Sequence, residues 1–174
     1  IILKRRQFVG SLSTITSEIY SILASNDATL TMHYDCFVKD ENIEAEILKK
    51  YQESTSKDIR HCSTSIGIQK DDLVIQLNNK SAALYASQGQ QRTIVLAIKI
   101  ALLELIKQEI GEYPILLLDD VLSELDKNRK EMLLKFLDER IQTFITTTSL
   151  DDLDDDLLLK AKIYQVEKGT IKEE

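Results

Sequence analysis

The chain is 174 residues and 19.9 kDa, 43% hydrophobic and 29% charged, with a formal net charge of -7, five Gly, one Pro and two Cys. A folded chain of this length buries roughly 70% of the surface its unfolded form exposes, which excludes disorder, a collagen-like repeat and a disulfide scaffold. Residues 1–87 hold 10 Lys+Arg against 11 Asp+Glu and residues 88–174 hold 12 against 18, so no long-range basic field attracts nucleic acid. Any DNA contact needs a local patch or a surface shared between copies.

Lys4 to Ser25 carries Phe8, Leu12, Ile15, Ile19, Ile22 and Leu23 at three-and-four spacing, which predicts an amphipathic helix. Leu30 to Val38 alternates Leu30, Met32, Tyr34, Cys36 and Val38 on one side, the pattern of a half-buried strand. Asp40 to Tyr51 returns to helical spacing. Thr64 to Ile68, Leu73 to Leu77 and Ala82 to Tyr85 read as short strands of a meander, separated by Asp71-Asp72 and Asn78-Asn79 turns. Ser87 is placed to cap a long helix that runs to about Glu109 and stops at Gly111, with Pro114 just beyond.

Ile115 to Leu118 is a continuous apolar run, which suits a strand covered on both faces. A helix over about Lys127 to Arg140 and a strand over Thr143 to Thr147 follow, and strand, helix, strand implies a parallel crossover. Asp151 to Asp156 contains five Asp in six residues and reads as a solvated loop.

The longest apolar stretch, Ile94 to Ile106, falls short of the ~20 residues of a membrane span. The start Ile1-Ile2-Leu3-Lys4 is neither an initiator Met nor a secretory signal, so the expectation is a cytoplasmic chain, a fragment, with no membrane partner. Lys4, Arg5 and Arg6 are expected to be a solvated face rather than a DNA patch. Cys36 and Cys62 need no bridge. A zinc site from His33, Cys36, His61 and Cys62 is not expected, because 33 and 36 differ in strand parity and 61 and 62 are adjacent.

Three segments carry possible chemistry. Asp119 and Asp120 follow the buried strand, at the carboxyl end where open α/β sheets place ligands. Two adjacent carboxylates suit a Mg²⁺ bound with substrate phosphates, and they equally suit a solvated strand end. Ser87-Gln88-Gly89-Gln90-Gln91-Arg92 opens the buried helix, where free N–H groups and the helix dipole favour an anion; taken alone, a plain Ser N-cap explains it. Ser123-Glu124-Leu125-Asp126 precedes an amphipathic run and is also a generic capping pattern. No two of the glycines at 10, 67, 89, 111 and 169 are five apart, so the phosphate cradle G-x-x-x-x-G-K-S/T is not in these residues.

In order, Ala86 to Thr93, Tyr113 to Asp126 and Gln142 to Thr146 resemble the RecF family of the ABC ATPase superfamily, relatives of the SMC heads. The resemblance implies an α/β chain that is the C-terminal portion of an ABC-type ATPase head, with parallel strands, crossover helices and a small β meander over residues 61–174 and a helical arm segment over 1–60. It implies that Ser87, Gln88, Gly89, Gln90 and Gln91 are the signature that meets the γ-phosphate of ATP held by the other copy of a homodimer. It implies further that Asp119 holds Mg²⁺, that Asp120 is the catalytic carboxylate, that Ser123 to Asp126 form a D-loop (with Ser123 and Asp126 contributing to the shared site), and that Thr148 stands at the switch position. Double-stranded and gapped DNA and the mediators RecO and RecR are the implied partners, in DNA repair and replication with ATP hydrolysis by the intact protein. The chain alone, without the phosphate cradle, is expected to be inactive, and the alternative is a non-catalytic interaction module of DNA repair. Where the family usually reads G-P-H-R-D-D this chain has Gly67-Ile68-Gln69-Lys70-Asp71-Asp72, expected to be a tight turn between two strands.

Overall fold

The structure is a computed structural model that describes residues 1–24, 28–39, 42–122, 125–137, 140–150 and 155–173. Its contacts form two compact units, Ile1–Glu112 and Tyr113–Glu174.

In the first unit, α1 (Ile2–Ala24) is followed by β1 (Leu30–Asp35), α2 (Ile43–His61), β2 (Asp72–Leu77), β3 (Lys80–Ser81), α3 (Ala82–Tyr85) and α4 (Gln88–Ile110). Helix α1 buries Ile2, Val9, Leu12, Thr16, Tyr20 and Leu23, a face rotated from the purely apolar stripe; Phe8 and Ile22 are exposed. Thr16 and Tyr20 belong to the buried face although their polar atoms weaken its apolar signature. The core joins Leu12 of α1, Met32 of β1 and Ala101 and Leu105 of α4, with Ile75 of β2 packed against them. The sheet runs in the order β1-β2-β3, all antiparallel, and Met32 faces Ile75 in its register. The Met32 N–H donates to Ser13 Oγ at 2.9 Å, so α1 satisfies a backbone donor of the edge strand.

Apolar alternation continues past β1 to Cys36 and Val38, which form a second cluster with Ile2. Arg6 donates to the Val38 carbonyl at 2.7 Å and Arg5 to that of Ile68 at 2.8 Å. These two cations therefore tie α1 to the strand and loop beside it, a correction to the solvated face expected of them. Helix α2 runs on past Tyr51, where its apolar pattern stops, to His61, and none of its residues is buried. It persists because Asn42 caps its start, accepting from the Ala45 N–H, while Cys62 ends it in the left-handed region at φ 50°. Beyond that end, Asp58 accepts from the Ser65 N–H at 3.0 Å, and its carboxyl sits below the usual range chiefly because Ser65 bonds it. Both cysteines are free.

Two expected strands are absent. Thr64 to Ile68 forms bends and turns, closed by the Lys70 N–H on the Gly67 carbonyl at 2.9 Å. Gly67 adopts φ 139°, a backbone conformation that residues with a β-carbon rarely adopt. Ala82 to Tyr85 is a single helical turn, favoured by Ala and Leu once the Asn78-Asn79 turn, with φ of 52° and 61°, has closed the β2–β3 hairpin.

Asp71, in the turn after Gly67, is the most constrained carboxylate described. Its side chain is 1% exposed and lies 3.7 Å from Arg5. It accepts the Tyr34 hydroxyl and, at 3.2 Å, the Phe37 N–H. Burial, and then this bond to Asp71, raise the Tyr34 pKa from its ordinary 10.0. Asp71→Ala leaves a partly buried hydroxyl and a backbone N–H without this acceptor, an expected loss of about 1–3 kcal/mol, to be read as a lower urea midpoint at unchanged slope. A midpoint within error of wild type would show the clasp to be energetically idle.

The second unit contains β4 (Leu116–Asp119), α5 (Lys127–Leu137), β5 (Thr143–Thr146), α6 (Asp155–Lys160), β6 (Tyr164–Glu167) and β7 (Thr170–Glu173). β4 and β5 pair in parallel, with Asp119 opposite Thr146, as the crossover pattern requires. Leu118, Leu122, Leu125, Leu133, Leu137 and Ile141 are buried. Leu117 is 73% exposed and Ile115 61%, so the described residues cover one face of β4 where the apolar run predicts two. β6 and β7 form a hairpin closed at Lys168 and Gly169, with φ of 47° and 78°; the segment carries a turn signal that the apolar pattern alone does not single out. The Asp-rich loop expected at 151–156 lies outside the described residues up to 154, and α6 begins at Asp155.

Candidate functional site

The expected site residues fall on the two units. In the first, Ser87 stands before α4 with extended backbone and closes a reciprocal capping box. Its Oγ accepts from the Gln90 N–H at 3.2 Å, and its own N–H donates to Gln90 Oε1 at 2.8 Å. The Ser87 hydroxyl keeps its proton for donation. Gln91 Nε2 donates to the carbonyls of Ala82 and Ala86 at 3.4 and 3.3 Å, binding the α3 turn to the helix start. Buried Thr93 donates to the Gly89 carbonyl at 2.8 Å. The opening of α4 is thus held rigid from below while Ser87 and Gln88 stay exposed. The N–H groups of a first helical turn have no intrahelical acceptor, and the dipole favours negative charge there.

Beside this start lies a depression of about 190 Å³, lined by Leu77, Asn78, Lys80, Ser81, Tyr85, Ala86 and Gln90. It is smaller than the roughly 300–1,000 Å³ that enclose a whole small ligand. Lys80 is the cation in its lining.

In the second unit Asp119 ends β4 and Asp120 follows with φ 51°. That left-handed region is uncommon for a residue with a β-carbon and is best tolerated by Asp and Asn. The Asp120 N–H is shared between the Thr146 carbonyl at 3.3 Å and Thr146 Oγ1 at 3.1 Å. Thr146 Oγ1 in turn donates to Asp119 Oδ1 at 2.6 Å. All three residues are exposed. Thr148 lies two residues past the end of β5, exposed, next to Thr147, whose hydroxyl donates to the Ser149 carbonyl at 2.8 Å. Thr146 ends the Gln142 to Thr146 stretch of the resemblance, but only the register that sets it against Asp119 gives its hydroxyl a partner.

Asp126 caps α5: Oδ1 accepts the Arg129 N–H at 3.0 Å, and Oδ2 pairs with the Arg129 guanidinium. Asp126 is therefore a capping residue of α5. Ser123 itself lies outside the described residues.

Mg²⁺ commonly binds through one or two carboxylates plus phosphates and water. Asp119 and Asp120 offer such hard oxygens at one strand end. Among the described residues no group of three or more His, Cys, Asp or Glu is gathered for a metal, so the fit is to a cation that arrives with phosphates, not to an all-protein cage. His33, Cys36, His61 and Cys62 form no such group either.

Comparison with known proteins gives a consistent relationship. The chain is 42% identical over 182 residues to the DNA replication and repair protein RecF of Natranaerobius thermophilus, covering 97% of this chain and 47% of the relative. It is 43% identical over 177 residues to RecF of Bacillus velezensis, covering 98% and 48%. A solved structure of the recombination mediator protein RecF with ATPrS, in the RecFOR pathway, superposes with a TM-score of 0.83 at 32% identity, covering 99% of this chain and 46% of that one. A second, RecF with ATP, gives 0.82 at 31% identity. No family model matches. The chain spans about half the length of the relatives it matches. The α/β architecture, with its parallel β4–β5 pair, agrees with the expected C-terminal portion of an ABC-type ATPase head. By sequence over nearly its whole length, and by fold, the chain belongs to the RecF family of DNA replication and repair proteins.

Proposed function

We propose that this chain supplies two walls of an ATP site that is completed when two copies of the intact protein meet, and that ATP thereby controls dimerisation on double-stranded DNA. The observation that carries the reading is that a chain of this family holds, each within its own unit, a capped, exposed helix start at Ser87 and exposed strand-end carboxylates at Asp119 and Asp120. The α4 opening, Ser87 to Gln91, whose capping box takes up the N–H groups of Ser87 and Gln90, presents the N–H groups of Gln88 and Gly89 and the Ser87 hydroxyl to the γ-phosphate of a nucleotide held by the partner copy. Asp119 holds the Mg²⁺, which when bound neutralises phosphate charge and orients the phosphoryl group. Asp120 accepts a proton from the attacking water. Asp126 and Ser123 lie on the loop that crosses to the other copy, and Thr148 stands at the switch position.

The open face of β4, with Ile115 and Leu117 exposed, packs in the intact protein against the rest of the head's sheet. Residues 1–60 form part of a helical arm and 61–174 the head portion. Loading of a recombinase at single-strand gaps, with RecO and RecR as partners, is the role this mechanism serves, in the cytoplasm; among the described residues no helix is long and apolar enough to cross a membrane.

Light scattering on the intact protein tests the reading: saturating ATP with Mg²⁺ is expected to double its mass, and double-stranded DNA to favour the doubled form. A mass that stays monomeric under ATP and DNA together would support the non-catalytic interaction module instead.

A further inference from the structure

We infer that Thr146 is the positioning residue of the strand-end carboxylates, a role that rests on the assignment of Asp119 to the metal and Asp120 to the water. A threonine hydroxyl has one proton to give and two lone pairs to receive with. Here the proton is committed to Asp119 Oδ1 at 2.6 Å, and a lone pair receives the Asp120 N–H at 3.1 Å. One side chain on the neighbouring strand thereby fixes both acids.

The two bonds have different consequences. The bond to Oδ1 takes one lone pair of that oxygen and sets the rotation of the carboxylate, so that Oδ2 would be the readier oxygen for a cation. The bond from the Asp120 N–H, reinforced by the Thr146 carbonyl at 3.3 Å, holds Asp120 at φ 51°. Successive residues of a strand point to opposite faces; a left-handed residue directly after β4 breaks that alternation, and Thr146 bonds its N–H there. Valine has the same shape and β-branching and keeps the backbone carbonyl that accepts the Asp120 N–H, but it offers neither the proton to Asp119 Oδ1 nor the side-chain acceptor for Asp120.

The test uses the intact protein with Thr146→Val, Thr146→Ser and, as reference, Asp119→Asn. Mn²⁺ affinity is titrated by electron paramagnetic resonance with a non-hydrolysable ATP analogue present, and the Mg²⁺ concentration for half-maximal hydrolysis is measured alongside. Loss of a hydrogen-bond partner behind a metal ligand costs about 10- to 100-fold in metal affinity; Thr146→Val is expected to fall in that range, with half-saturating Mg²⁺ shifted in parallel, while Thr146→Ser retains wild-type values. Thr146→Ala replaces the valine variant if the latter does not fold, with the same expectation. Wild-type Mn²⁺ affinity in Thr146→Val, with affinity lost in Asp119→Asn, overturns the role of Thr146 and leaves the metal assignment standing. A serine variant as weak as valine overturns it too, since the methyl and not the hydroxyl would then matter. Undiminished Mn²⁺ affinity in Asp119→Asn removes the metal assignment and this inference together.

Discussion

Asp120→Asn in the intact protein is expected to lower ATP turnover by about 10²- to 10⁴-fold, the usual worth of a positioned general base, while leaving ATP binding and ATP-dependent dimerisation in place. The substitution exchanges one carboxylate oxygen for an amide nitrogen of nearly the same size. Asn tolerates the left-handed conformation at φ 51° at least as well as Asp, and the backbone N–H that binds Thr146 is unchanged. What disappears is the acceptor for a water proton. Single-turnover hydrolysis against equilibrium nucleotide binding separates these quantities, and light scattering reads the dimer. A variant that turns over at the wild-type rate takes Asp120 out of the chemistry.

Ser87→Arg is expected to abolish the ATP-dependent doubling of mass without weakening ATP binding by the single copy. Two effects have to be weighed. Losing the Ser N-cap costs about 1 kcal/mol, but α4 is 23 residues long and buries Thr93, Ile94, Leu96, Ala97 and Ile100 within its first thirteen, so the helix survives. The larger effect is steric and electrostatic: a long cation at an exposed helix start occupies the space where the partner's phosphate has to approach the backbone. Circular dichroism should therefore show an intact fold with a modestly lowered melting point while the dimer is gone. Persistent ATP-dependent dimers would show that Ser87 does not face the other copy's nucleotide.

Both variants act at positions visible in the one-dimensional pattern, and that visibility has a physical basis. Ser87 and Gln90 are three apart and bond each other, so the capping box is a local event written in four consecutive residues. The strand–helix–strand order from β4 to β5 is likewise local in its signals, because a buried run, an amphipathic face and a second apolar run each follow from neighbouring residues. The parallel pairing then follows from the handed crossover that such an order requires.

Other elements escaped because their cause is not local. α2 continues from Tyr51 to His61 with no buried face, so no periodicity marks its second half. Ala82 to Tyr85 has the apolar look of a strand, and it turns helical because the hairpin before it and the Gln91 bonds after it fix its ends. The acid pair Asp71-Asp72 reads as a turn, yet Asp71 is an internal lock, since Tyr34 lies 37 residues away and only the β1–β2 register brings it near.

The residues alone determined the helices with a buried stripe, the capped helix start and the acids at a strand end, since each follows from near neighbours in the chain, and the parallel strand pair, since the handed crossover requires it. Tertiary structure decided which carboxylate is sequestered, which face of α1 is covered and which hydroxyl orients Asp119, 27 residues from Thr146. Hydrogen bonds reach about 3 Å, and only folding brings atoms so distant in sequence within that reach.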